Sequence, residues 1–349
     1  MMISRSTGPL RIIVHGGMHK TGTTSLQHLL AANRNALLKE GICYPDVEET
    51  HHQMLNVKRA DWVPDTCLEC LDQARQMGAE TVIFSSEVVS TLSVKQFRTL
   101  TASLSHQDLT YLFCFRHWWD YFPSRWSQNC SRRDTQTFDS YVQAVAHCDS
   151  EHPDYRFDLV LDRAVSSGNC RVAAVSYDTA MATEGSVLPE LLRAAGLREA
   201  AVKLLDSRQI RDNARHDGTV IELCRLFNGL VADRNGWPQD DLFRSVAEYR
   251  RCLQMFDLVP AIAALGDAVR DEMVAIVADH GFKKASLPDV RHLELALLNG
   301  YGSLFTNKAA GRIFPVRRPD NKSYSQLVWQ DFRDALNGDP LQMLGLNFR

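Results

Sequence analysis

No run of about 20 uncharged apolar residues occurs in this 349-residue sequence, so no segment reads as a membrane span. The nearest, "LVPAIAALGDAVRDEMVAIVA", is interrupted by Asp267, Arg270, Asp271 and Glu272. The N-terminal "MMISRSTGPLRIIV" has neither the long apolar core nor the cleavage site of a signal peptide. No basic excess is present: the net charge of −3 argues against non-specific nucleic-acid binding, so any anion site must be local. A regular cysteine framework is missing too. The nine cysteines are irregularly spaced, which excludes a secreted disulfide scaffold. Cys67-x-x-Cys70 has no second pair to complete a zinc site, and it reads as two small residues on a helix. Repeats and low-complexity linkers are also absent. These absences point to a cytoplasmic protein without a membrane span or a nucleic-acid partner.

What is present alternates. A buried strand is expected at 10–16 and a helix from Thr24 to Lys39, closed by Gly41. Residues 44–65 are polar and irregular, with Pro45 and Pro64, and read as a loop or lid. Helices are expected at about 66–77, 93–104, 118–131, 137–148, 156–167 and 188–197. Strands are expected at 81–86, 109–116 and 170–177. This alternation implies an α/β fold with a central parallel sheet flanked by helices. After about 205 the pattern becomes mainly helical, near 216–231, 241–253, 258–280 and 291–300. We therefore expect a core at 1–205 and a helical C-terminal cap at 206–349 on the same body.

The chemistry concentrates in "RIIVHGGMHKTGTTSLQHLL", residues 11–30. A strand running through glycines into a helix directs backbone N–H groups and a positive helix end at one point, which makes an anion site. Gly16, Gly17 and Gly22 allow close backbone approach, Lys20 adds a full charge, and Thr23 and Thr24 add hydroxyls. The nucleotide loop G-x-x-x-x-G-K-[ST] places its lysine after the last glycine and a magnesium-binding hydroxyl after that. Here Lys20 precedes Gly22 by two positions, and the stretch contains no Gly-Lys-[Ser/Thr]. The order argues against a nucleotide kinase or NTPase.

"GMHKTGTTSLQ" resembles the 5′-phosphosulfate loop of sulfotransferases that use 3′-phosphoadenosine 5′-phosphosulfate (PAPS), in particular bacterial members carrying K-T-G-T-[ST]-x-L-Q. The resemblance covers roughly the first 200 residues. It implies a three-layer P-loop-like fold and assigns His19, Lys20, Thr21, Gly22, Thr23 and Thr24 to the cofactor. The family reads the 3′-phosphate with an arginine at a strand end and a serine eight residues on. "LFCFRHWWDYFPSRWSQ" supplies Arg116 and Ser124 at that spacing, with Pro123 as a departure inside the expected helix. A fork of guanidinium donors suits a phosphate.

Sulfuryl transfer needs positioning and charge stabilisation, which Lys20 would supply, and no divalent metal is demanded. An acceptor hydroxyl needs a base. By the resemblance, Glu87 after "TVIFSS" occupies the family's base position; as a bare residue it equally suits a helix N-terminal acid. His51 and His52 are the other candidates, His52 preferred. Trp118, Trp119, Tyr121, Phe122 and Trp126 are spaced as core, with one or two left to edge an acceptor or adenine pocket. The expected activity is PAPS-dependent sulfotransfer to a small-molecule or carbohydrate acceptor. The alternatives are a P-loop nucleotide kinase or NTPase and a non-catalytic anion-binding module.

Overall fold

The computed structural model of the chain describes residues 9–47, 51–104, 108–130, 134–147, 152–206, 225 and 290–315. Apart from Arg225, the expected helices at 216–231, 241–253 and 258–280 lie outside the described residues. The elements run β1 (Arg11–His15), α1 (Thr23–Ala32), α2 (Arg34–Lys39), β2 (Ile42–Cys43), α3 (His52–Leu55), α4 (Asp65–Gln76), β3 (Thr81–Ser85), a 3₁₀ turn (Glu87–Thr91), α5 (Val94–Ser103) and β4 (Asp108–Phe115). They continue with α6 (Trp118–Cys130), α7 (Phe138–His147), α8 (Phe157–Val165), β5 (Arg171–Ser176), α9 (Tyr177–Glu184), α10 (Leu188–Ala194), α11 (Glu199–Asp206) and α12 (Arg291–Tyr301).

The five strands form one sheet in the order β2-β3-β1-β4-β5, and every pair is parallel. The α/β class expected from the alternation holds. The strands read as apolar runs because helices cover both faces. On one face Ile13 and Leu112 pack with Leu26, Leu29 and Leu30 of α1 and Leu191 and Leu192 of α10. On the other the packing is aromatic: Phe97 of α5 meets Tyr111, and Phe157 of α8 meets Phe115. Leu30 is fully buried, so truncating it to alanine costs about 2–5 kcal/mol.

Three local features differ from the sequence expectation. The helix expected from Thr24 to Lys39 breaks at Asn33, whose side-chain amide donates to Leu29 O (2.8 Å) and competes with the helix ladder. A short strand, β2, follows Gly41, and the stretch 44–65, read as a loop or lid, contains one turn of helix, α3. Two more short helices, α9 and α11, flank α10. By contrast, Ser93 starts α5 with a full capping box to Gln96, as its position suggested.

The chain divides into two compact units. Among the described residues, the first holds those up to Tyr121, His147, those from 152 to 206 and those from 290 to 315. The second holds those from Phe122 to Ala146, with Arg225. In the first unit α12 packs on α8, with Tyr301 donating to Asp162 Oδ1 (2.8 Å). The segment after it covers the outer edge of β5. Thr306 N donates to Ala174 O (3.0 Å), and the Asn307 amide both accepts from Ser176 N (2.8 Å) and donates to Ser176 O (2.9 Å). An open strand edge is thereby closed. Among the described residues no helix is long and apolar enough to cross a membrane.

Candidate anion site at the carboxyl edge of the sheet

All five strands end on one side. From β1 the chain leaves toward β2, and from β4 it leaves toward β5, the opposite way. Such divergence opens a crevice between the two strands at their carboxyl ends. The segments that leave there are the loop at 16–22 and Arg116–His117. The turn after β3, Ser86–Glu87, flanks β1 on its other side.

The loop is held tightly at its base. Gly16 N donates to Leu112 O (2.9 Å), anchoring it to β4. The Thr21 and Thr23 hydroxyls both donate to Met18 O, at 2.6 and 3.2 Å, and both side chains are buried. They shape the turn from within, while Thr24 is exposed. Lys20 is left-handed (φ 61), a costly conformation for a side chain with a Cβ. Gly22 is left-handed as well (φ 85), and a Cβ there would meet Val187 Cγ1 at 2.8 Å. Gly22 is the N-cap of α1 and brings no side-chain cap, so the first amides of this ten-residue helix remain uncovered by any side chain of the cap.

Glu87 stands at the loop's mouth. Its 3₁₀ turn is capped by the neighbouring Ser86 hydroxyl, which accepts from Val88 N (3.3 Å). The acid is therefore not the capping group. Its Oε2 lies 2.5 Å from His19 Nδ1, and both side chains are partly exposed. The His19 imidazole and the Glu87 carboxylate thus meet at the mouth. His52 reaches the same strand end: its Nδ1 lies 3.5 Å from Ser86 Oγ, with the ring exposed.

His51, which the sequence left as a second candidate beside His52, is fully buried. Its Nδ1 accepts from Ser85 N (3.1 Å), so its Nε2 donates to Pro45 O (3.0 Å). The reason lies in β2, which pairs only with Thr81 and Val82 of β3. Further along, β3 has no strand neighbour on that side among the described residues, and the imidazole takes the strand's place. This is a structural role.

A second buried histidine escaped the sequence reading altogether. His15, the last residue of β1, pairs in register with Ser85, the last of β3. Its Nδ1 is 2.9 Å from Ser85 Oγ, and Gln27 Nε2 of α1 donates to the same hydroxyl (3.1 Å). Burial lowers the His15 pKa to about 4, with Glu87 pulling the other way. The available signal was two polar residues ending two adjacent apolar strands.

Across the crevice, Arg116 is half-buried and its guanidinium lies over the Tyr177 ring, 4.9 Å from the centroid. Its Nε is buried without a hydrogen-bond partner among the described residues. The backbone beside it is pinned, because His117 N donates to the buried Asp178 Oδ2 (2.6 Å). The His117 ring accepts from Trp119 N at Nδ1 (3.2 Å) and contacts Glu294 of α12 through Nε2. Trp118 and Tyr121 are core, as expected; Trp119 is only partly buried, and its buried indole N–H has no partner among the described residues. In the second unit Phe122 and Trp126 are also buried. Ser124 belongs to that unit; it is half-buried on α6, which runs through Pro123 and continues to Cys130.

Cys67 and Cys70 are buried in α4, and burial raises their thiols to about 12 and about 11. No protein-family model matches the chain, and no curated protein matches it significantly in sequence.

Proposed function

We propose that the protein is a sulfotransferase that moves a sulfuryl group from PAPS to an acceptor hydroxyl. The observation that carries this reading is the pairing across one crevice of an uncapped, left-handed loop bearing Lys20 with a stacked arginine, Arg116, on the neighbouring strand. Two cationic groups on opposite lips suit a ligand with two separate anionic ends. The sheet is then of the P-loop-like type, with 206–349 adding a helical cap.

In this reading Lys20 and the first amides of α1 hold the 5′-phosphosulfate. They stabilise charge gathering on the bridging oxygen as the S–O bond to phosphate breaks. Arg116 holds the 3′-phosphate through charge-assisted bonds. His19, Thr21, Gly22, Thr23 and Thr24 complete the loop. Glu87 accepts the acceptor's hydroxyl proton as its oxygen bonds to sulfur, and the contact with His19 keeps that carboxylate at the mouth. A carbohydrate hydroxyl is the acceptor class that a glutamate base suits best.

The test is thermal. 3′-Phosphoadenosine 5′-phosphate at about 100 times its Kd, without Mg²⁺, stabilises the native state by about 2.7 kcal/mol. Stabilisation by Mg-ATP alone refutes the reading and favours a kinase. Turnover then separates the bases: Glu87→Gln lowers kcat far more than cofactor affinity, and intact turnover moves the base to His52.

A further inference from the structure

The network under the loop has one free end. Gln27 Nε2 lies 3.1 Å from Ser85 Oγ and 3.4 Å from Ser85 O. The end of an amide that faces a backbone carbonyl is its NH₂, which settles the orientation of Gln27. Ser85 Oγ thus accepts from Gln27 and has one proton to give. If that proton goes to His15 Nδ1, at 2.9 Å, every group from Gln27 to Nδ1 is satisfied. If Nδ1 instead carries the proton, the Ser85 hydroxyl hydrogen is stranded and Nε2 is a bare buried acceptor. The first arrangement leaves fewer buried polar groups unpaired, and such groups are expensive. It places the ring proton on Nε2.

That Nε2 has no partner among the described residues, and His15 is only 1% exposed. It also lies against the loop. A Cβ built on Gly17 would lie 2.6 Å from Nε2 and 2.8 Å from Thr23 Oγ1. Nε2 therefore stands beside Gly17 and the first residue of α1, where any side chain at position 17 would crowd it.

We propose that His15 is a neutral, buried donor of the anion cradle: the relay Gln27–Ser85–His15 holds its Nε2–H toward the ligand oxygens bound in the loop. This rests on the sulfotransferase reading of that loop. Neutrality matters to the role. A histidinium would add charge but would also titrate, whereas a neutral N–H donates at every working pH. Gln27 and Ser85 are positioning residues, acting through His15.

Long-range ¹H–¹⁵N correlation of the histidine rings in the full-length protein tests this, with 3′-phosphoadenosine 5′-phosphate as probe and His15→Gln for assignment. The expected result is a free protein with His15 protonated at Nε2 only, and a downfield move of that proton on adding the probe. Calorimetry adds that His15→Phe weakens probe binding about 10-fold, the loss of one hydrogen bond to a charged group, while His15→Gln, which restores an N–H, stays near wild type. A proton on Nδ1 in the free protein overturns the inference, even if His15→Phe fails to fold. So does an unmoved His15 signal in a protein saturated with the probe. Failure of the wild type to bind the probe overturns the parent reading and this one with it.

Discussion

Lys20 offers a test in which backbone and charge separate. It stands at φ 61, where a residue with a Cβ costs about 1–2 kcal/mol. Glycine pays none of that but loses about 0.5–1 kcal/mol more chain entropy on folding than alanine. Lys20→Ala and Lys20→Gly both delete the ammonium and every contact it makes, so their difference isolates the backbone. Taking the middle of each range, Lys20→Gly should then be the more stable by about 0.75 kcal/mol. For a unit of this size, that is about 1–4 °C in Tm. Both variants should bind 3′-phosphoadenosine 5′-phosphate about 10- to 150-fold more weakly, since a hydrogen bond to a charged group contributes about 1.5–3 kcal/mol. Scanning calorimetry without ligand reads the first quantity and titration calorimetry the second. Lys20→Ala melting at or above Lys20→Gly would refute the strained loop. Wild-type affinity in either variant would refute the role of the charge.

Three further outcomes follow from the same structure. His51→Ala strips partners from Ser85 N and Pro45 O, two groups at about 1–3 kcal/mol each, and should lower Tm by several degrees; a melting curve unchanged within error contradicts the account of the β3 edge. His15 is neutral in the folded chain down to about pH 4, whereas unfolded it takes a proton near 6.5. Its contribution is thus intact above about 6.5, and stability falls by up to about 3 kcal/mol as pH drops to 4; His15→Gln should flatten the Tm-against-pH profile in that window. Cys67 and Cys70, with thiols raised by burial, should resist a disulfide reagent at pH 8 until the protein unfolds, and prompt native labelling of either would show that α4 is not packed as described.

The sheet was legible because its strands are buried on both faces and so appear as apolar runs bounded by helical periodicity. The loop was legible because glycines, a lysine and threonines at one strand–helix junction have no packing use in common. What escaped were residues whose roles depend on partners far away in the chain. His51 reads as one of a solvated pair, yet it serves as a missing strand neighbour because β2 is only two residues long. Thr23 reads as a donor to a ligand, yet its proton goes to Met18 O. Glu87 opens the 3₁₀ turn as its first-turn acid, while the Ser86 hydroxyl is the cap.

By itself the sequence determined the class of the fold, the place of the glycine-rich loop after β1 and the order Lys20–Gly22 within it, since strand, turn and helix are local and periodic. Only the tertiary structure decided that Arg116 leaves the strand next to β1 and lies over Tyr177, that Glu87 meets His19, and that Ser85 joins His15 to Gln27. Those relations depend on strand order. The sheet sets β3 and β4 on either side of β1, and nothing local in the chain records which strands become neighbours.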